Sequence, residues 1–554
     1  MAKRVLIVGG VAGGASAATR LRRLDEAAEI VLFDRGPYVS FANCGLPYFV
    51  GNVISDEKKL LVASREMFRD RFNIDVRTEH EVLSVDAAKQ ILRVKNLREG
   101  TERDEPYDDL VLSPGAAPIR PTAPGLDLPG VFAVRTIPDT RRIRSWLERS
   151  DCREAVVVGG GFIGLEMAEN LVHRGLKVTV LEKLSQVMPP IDPELAAVVA
   201  SHLIEKGIKL QLGDGFRAIE QRGERLAVLT DRGAELSADL VILALGVRPE
   251  TKLALSAGLT LGARGGIHVD ATMRTSDPHI YAVGDAVEVR DLLLGQEMIV
   301  PLAGPANRQG RVAAEAIAGK KSEFRGVQAT AIVSVLGLSV ATTGASEKGL
   351  KRAGHADFSV VYLHPGHHAG YYPGANPIRL KLIFETPSGR ILGAQAVGTD
   401  GVDKRIDVIA TMIQMHGTVY DLAETELCYA PQFGSAKDPV NVAGMMAVNA
   451  LEGEMPLADW AQLHTIDALL LDVREPEEFA RGHLNRALHI PLNQLRRRID
   501  ELPKDREIWI YCAAGQRGYF AQRMLMQKGY RAKNLSGGYL TWLRLNEAGL
   551  AAQR

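Results

Sequence analysis

The sequence predicts an α/β protein of several domains, built around two copies of one strand–glycine loop–helix–strand unit. Three observations carry that expectation. At 554 residues the chain exceeds what one hydrophobic core holds, and at about 150 residues per domain three or four are expected. An apolar run ending in glycines, "KRVLIVGG", precedes a helix-compatible stretch to Ala28 and a second strand, "EIVLFDRG". The pattern returns as "EAVVVGGGFIGLEMAENLVHRGLKVTVLEK".

Composition narrows the function classes. Lys+Arg and Asp+Glu both number 67, a formal net charge of zero, so nothing points to nucleic acid or an anionic membrane. The only cysteines are Cys44, Cys152, Cys428 and Cys512. That is neither a disulfide framework nor a CxxC metal site; no metal and a reducing cytoplasm are expected. Two segments imitate targeting signals. "MAKRVLIVGGVAGGASAATR" has the look of a signal peptide, but paired glycines break its apolar run. Gly326–Ser346, long and uncharged, alternates β-branched residues and reads as buried strands around Gly337 rather than a membrane span.

Each element of the two units has a physical role. Glycines let backbone N–H groups and a helix N-terminus approach a pyrophosphate, and an acid ending the second strand accepts ribose hydroxyls. In the first unit the loop is Gly9, Gly10, Val11, Ala12, Gly13 and Gly14, with Val11 in place of the middle glycine, and the acid is Asp34, followed by Arg35. In the second, Gly159, Gly161 and Gly164 are all present around Ile163, and the acid is Glu182. Two Rossmann-type units imply two dinucleotides, or one flavin facing one nicotinamide. "DDLVLSPGAAP" is a strand entering a turn at Ser113, Pro114 and Gly115, where the chain crosses between nucleotide domains. "DLVILALGVRPET" repeats it at Gly246. "HIYAVGDAVEV" ends a strand in Gly284-Asp285, which would set the Asp285 carboxylate on a flavin's ribityl chain at a helix N-terminus.

This order resembles the flavoprotein disulfide reductases of glutathione-reductase-like fold, and "SFANCGLPY" resembles their single-cysteine branch, the coenzyme A-disulfide reductases and NADH oxidases and peroxidases. Five residues after Cys44, where many relatives carry a second cysteine, stands Phe49. The resemblance covers about residues 1–450. It implies an FAD-binding domain at 1–115 and 250–322, an NAD-binding domain at 116–249, and an α+β dimer-interface domain at 323–448. Glu182 favours NADH, because a carboxylate accepts a 2′-hydroxyl and repels a 2′-phosphate; Lys183 leaves room for NADPH. Cys44 is the implied redox residue. Tyr429, in "CYAPQFG", and Tyr371, with Tyr372 as the fallback, are implied to reach the partner subunit's active site and donate a proton to leaving sulfur. Coenzyme A contacts carry over to Ser16, Arg20, Arg23, Ser40, Asn43, Arg71 and Lys437, Asn43 serving the flavin as well. Arg20 and Arg23, a turn apart, suit a phosphate clamp or a solvated helix face. Cys152 and Cys428 read as packing or surface thiols.

After a linker at 449–456, "ALLLDVREPEEFARGHLNRALHIPL", "IWIYCAAGQRG" and "NLSGGYLTWL" resemble a rhodanese domain, of α/β class, over 457–554. Cys512 ends a strand and opens a loop holding Gly515 and Arg517 before the helix "YFAQRMLMQKG". Successive N–H groups turned onto one sulfur favour thiolate and persulfide anions. Four residues separate Cys512 from Arg517, one fewer than in Cys-dependent phosphatases.

Together these imply an NADH-dependent flavoprotein that reduces coenzyme A persulfide, polysulfide and coenzyme A disulfides at Cys44, with Cys512 carrying or presenting persulfide, in a homodimer. Alternatives are an NADH oxidase or peroxidase working through a Cys44 sulfenic acid, or mainly a sulfurtransferase with a regulatory flavoprotein half.

Overall fold

The strand Arg4–Val8, apolar and buried over its last four residues, is the centre of a five-stranded parallel sheet. Its order is Ile280–Ala282, Asp109–Leu112, Arg4–Val8, Glu29–Asp34, Asp75–Thr78, a dinucleotide-binding order in which the chain reverses at the first strand. In this computed structural model, which describes residues 2–149, 151–463 and 465–548, the sheet belongs to the first of two units. That unit comprises Met1–Leu181 and Gly215–Val327; the second comprises Glu182–Asp214 and Gln328–Arg554.

The helix of the first βαβ unit spans Ala12–Arg22, ending six residues before Ala28. Arg22 explains the early stop. Its buried guanidinium donates to the carbonyls of Glu26, Ala28, Phe72 and Asn73, turning the chain directly into the next strand. Helix Ala303–Ile317 lies against this helix at a glycine contact: a Cβ on Gly310 would stand 2.2 Å from the carbonyl oxygen of Gly13.

The second parallel sheet holds Lys177–Glu182, Glu154–Val158, Leu240–Leu243 and Val131–Phe132 in that order. Ala116–Pro118 and Val247–Pro249 pair antiparallel, the crossing expected after Gly115 and Gly246. No helix follows Asp285 directly in the chain, although the preceding Gly284 donates its N–H to Gln309 of helix Ala303–Ile317 at 2.7 Å. The chain continues as strand Val287–Arg290, pairing with Ile267–His268 and Glu297–Met298, because Val287 and Val289 suit a buried pleat.

In the second unit, an antiparallel sheet runs Ala331–Val335, Leu338–Gly344, Ile391–Gly398, Arg379–Glu385, Phe358–Leu363. Its first hairpin turns at Leu336 and Gly337, both at positive φ, so Gly326–Ser346 contributes strands. Among the described residues no helix is long and apolar enough to cross a membrane. Helix Pro439–Leu451 runs into the expected linker, where Met455 is buried; apolar packing replaces a free connection. A four-stranded parallel sheet follows, Leu488–His489, Leu469–Asp472, Ile508–Tyr511, Ala532–Asn534. Residues 549–554 of the expected last domain lie outside the described residues.

Candidate active site

The two glycine loops are built alike. Gly9 and Gly159 take φ of +95° and +114°, and a Cβ there would stand 2.0 Å from the Ser113 carbonyl oxygen and 2.2 Å from that of Ala244. Gly14 and Gly164 let each helix cross its loop, since a Cβ on either would stand 1.9 Å from the carbonyl oxygen of Gly9 or Gly159. Val11 and Gly161 are the N-caps of the two helices, which begin at Ala12 and Phe162 with no side-chain cap and no acid in the first turn. Helix ends left with their N–H groups and partial positive charge fit a pyrophosphate.

Asp34 accepts hydrogen bonds from Gly10 N–H at 3.0 Å and Gly36 N–H at 2.8 Å; burial still raises its carboxyl above the ordinary range. Arg35 and Arg135 both pair with Glu250, at 2.8 and 2.5 Å, and Arg135 also reaches the Pro114 carbonyl. Gly115 and Gly246 turn at positive φ. In the second βαβ repeat Ile163 is exposed, and the Glu182 carboxylate accepts from Leu184 N–H at 2.8 Å.

Cys44 lies in a short 3₁₀ turn, Asn43–Gly45, feeding helix Leu46–Val50. Asn43 and Cys44 are exposed, and Ser40, at positive φ, ties the segment to the first loop by its N–H to the Gly10 carbonyl at 2.7 Å. Burial pushes the Cys44 thiol up, and the charges of Glu166 and Asp285 add to it. Burial likewise raises Asp285.

Glu166, which the sequence reading did not single out, shares this region with Cys44. It accepts from the Tyr48 phenol at 3.3 Å, and burial, with the like charge of Glu169, pushes its carboxyl up to about 7. The Tyr48 phenol is raised to about 12, by burial first and then by Glu166. The available signal was a run of polar residues, Glu166, Glu169 and Asn170, sharing one face of helix Phe162–His173.

The coenzyme A candidates lie on several elements of both units. Ser16 Oγ bonds Asn307 at 2.5 Å, and Arg20 is committed to Glu315 at 2.5 Å. Arg23 is the exposed C-cap of its helix, and Arg71 is exposed on helix Arg65–Phe72. In the second unit Lys437 borders a cavity of about 240 Å³ with Thr425, Glu426 and Met445. Tyr371 and Tyr429, 58 residues apart, meet hydroxyl to hydroxyl at 2.7 Å, and both are exposed. Tyr372 instead packs edge-on against His368. Buried Arg405 joins the two tyrosine segments, donating to the His367 carbonyl at 2.8 Å and to Asp438 at 2.7 Å.

Cys512, 2% exposed, follows strand Ile508–Tyr511. Gly515, at φ +104°, donates its N–H to Cys512 Sγ at 3.1 Å. Tyr539 and Leu540 N–H groups hold the carbonyls of Cys512 and Ala513 at 2.8 and 3.0 Å. Gly538 is required beneath them, since a Cβ would stand 2.3 Å from the Cys512 oxygen. The helix begins at Gln516, so Arg517 occupies its first turn rather than the loop. Both guanidinium ends bind Glu478 at 2.7 Å, a pairing that fixes the helix start. Cys152 is buried and its thiol is pushed up to about 11 by burial; Cys428 is exposed.

The family model described as "Pyridine nucleotide-disulphide oxidoreductase" matches residues 3–352. The chain belongs to this family. The family's dimerisation domain matches residues 330–438, and a rhodanese-like domain matches 458–545. The coenzyme A disulfide reductase of Staphylococcus haemolyticus is 35% identical over 446 residues, 80% of this chain and 99% of the relative. Two solved structures are similar over nearly the full length. Reduced Bacillus anthracis CoADR-RHD is 47% identical with TM-score 0.97, covering 99% of each chain. The NAD-dependent persulfide reductase from A. fulgidus is 39% identical with TM-score 0.91, covering 97% of this chain and 100% of that one.

Proposed function

We propose that this oxidoreductase uses NADH and FAD to reduce sulfane sulfur, in coenzyme A persulfide and polysulfide, and coenzyme A disulfides. One observation carries the reading: an exposed free thiol, Cys44, in a turn whose segment is tied to the first glycine loop, shares a chain with Cys512, a buried free thiol facing a backbone N–H. The two near-full-length structural relatives carry the same reading in their names.

Bound FAD supplies a two-electron relay from NADH to the sulfur at Cys44. The Cys44 thiolate attacks the coenzyme A-bearing sulfur of a persulfide; a Cys44–coenzyme A disulfide forms, the persulfide bond breaks, and hydrosulfide leaves with the electron pair. Two electrons and a proton then restore the thiolate and release coenzyme A thiol. With a coenzyme A disulfide the first leaving group is coenzyme A thiolate. The hydrogen-bonded hydroxyls of Tyr371 and Tyr429 supply the proton, in a homodimer from the other subunit. Cys512 holds sulfane sulfur as a persulfide. Ser16, Arg20, Arg23, Ser40, Asn43, Arg71 and Lys437 hold coenzyme A, and the domain limits given above define the working parts of a cytoplasmic enzyme.

Steady-state oxidation of NADH and NADPH against coenzyme A disulfide, coenzyme A persulfide, polysulfide and peroxide tests the reading. NADH should exceed NADPH in kcat/KM by about tenfold, since a lost ribose contact and like-charge repulsion at Glu182 total ~1.4 kcal/mol. Turnover confined to peroxide would overturn it.

A further inference from the structure

We infer that Glu478 sets the donor specificity of the Cys512 loop, favouring organic persulfides, which bring a single charge at the reacting sulfur, over dianionic thiosulfate. The inference deepens the proposed function and rests on Cys512 carrying sulfane sulfur. Glu478 is the third residue of helix Pro476–Ala480, and its Oε2 also accepts the Glu475 N–H at 3.0 Å. A carboxylate pinned in this way presents both oxygens to Arg517 in a two-point fork. The Arg517 hydrogen bonds hold the Glu478 carboxyl down to about 2, so the lock stays charged at every working pH.

The surrounding charges cancel in pairs. Arg474, whose charge also reaches Glu478, is bound to Asp472 at 2.6 Å and lies over the Tyr539 ring at 4.2 Å. Arg517, which interacts with the Cys512 side chain, is neutralised by Glu478. With the Arg517 charge offset by Glu478, the positive charge left over for a bound sulfur is the partial charge of the Gly515 N–H and of the uncapped helix start at Gln516. That partial positive charge suits one anionic sulfur. Thiosulfate brings a second charge on its sulfonate, and the arginine that would meet it is already paired.

Both donors undergo the same transfer. The Cys512 thiolate attacks the outer sulfur, a Cys512 Sγ–S bond forms, and the donor's S–S bond breaks. Sulfite leaves from thiosulfate with the electron pair; from an organic persulfide a thiolate leaves, taking up the persulfide proton. Glu478 acts through Arg517 and is a positioning residue.

The test uses the full-length flavoenzyme without NADH, measuring sulfur transfer to cyanide from thiosulfate and from glutathione persulfide, with Cys512→Ser turnover subtracted. Glu478→Gln keeps the shape and frees the Arg517 charge. The thiosulfate-to-persulfide ratio of kcat/KM should rise about tenfold, chiefly through the thiosulfate KM, as expected from unmasking one charge near the sulfur. Glu478→Asp, which keeps the charge, should stay within about threefold of the parent because a carboxylate still reaches the arginine. Because each ratio comes from one preparation, partial misfolding cancels. A ratio unchanged in Glu478→Gln, or raised equally in Glu478→Asp, would overturn the inference. NADH-driven reduction of coenzyme A persulfide is read separately: its absence would sink the proposed function while leaving the donor ratio measurable.

Discussion

The phenol of Tyr48 donates a hydrogen bond to Oε1 of Glu166 at 3.3 Å, joining the helix that follows Cys44 to the helix that follows the second glycine loop. It holds a carboxyl that titrates near neutrality where its charge acts on the Cys44 thiol. Glu166 is held at about 7 by burial and by Glu169, with Tyr48 opposing the rise. Below that pH it is neutral; above it, its charge disfavours the Cys44 thiolate, as does that of Asp285. Tyr48, Glu169, Cys44 and Asp285 are the ionisable groups coupled to this site.

Glu166→Gln should therefore lower the Cys44 thiol pKa and speed its alkylation by iodoacetamide above pH 7, while removing an inflection near pH 7 from the rate profile of persulfide reduction. An unchanged alkylation profile would separate Glu166 from Cys44 electrostatically.

The Tyr371–Tyr429 pair leads to a subunit experiment. Mixing inactive Cys44→Ser chains with inactive Tyr371→Phe/Tyr429→Phe chains, after dissociation and reassociation, should restore part of the activity. Confirmed heterodimers without recovery would place the tyrosines with Cys44 of their own subunit, or outside the chemistry.

The two thiols are separable. Cys44→Ser should abolish NADH-dependent reduction of every sulfur substrate and leave FAD bound. Cys512→Ser should still reduce coenzyme A persulfide and lose turnover on polysulfide, which must first load the loop. Persulfide reduction by Cys44→Ser would remove Cys44 from the electron path.

Lys381 is wholly buried and bound to Asp192, Glu194 and Glu347 at 2.9, 2.5 and 2.7 Å. This acidic group, which has the spacing of a metal site, has an ammonium as its counter-ion. Lys381→Met would strand the carboxylates, at a cost of about 3–5 kcal/mol, readable as a lower urea midpoint for the second unit. Burial opposes ionisation of Asp192 and Glu347, but Lys381 prevails and holds both below their usual range. Their contribution to stability is present above the ordinary carboxylate range and is lost as pH falls through the depressed values. The parent protein should show this loss in acid, and Lys381→Met should lack it.

The glycine loops around Gly9 and Gly159, the acids Asp34 and Glu182, and the Cys512–Gly515 turn were legible in the sequence by itself. Each is a local device in which a few adjacent residues set backbone shape, so order along the chain was enough to indicate two dinucleotide-type units, an unpaired cysteine at Cys44 and a backbone N–H turned onto Cys512. Glu166 on Tyr48, Glu478 on Arg517 and Lys381 among three carboxylates were decided only by the tertiary structure. Those partners lie 118, 39 and up to 189 residues apart, and burial, which gives their charges force, comes from segments that no local pattern brings together.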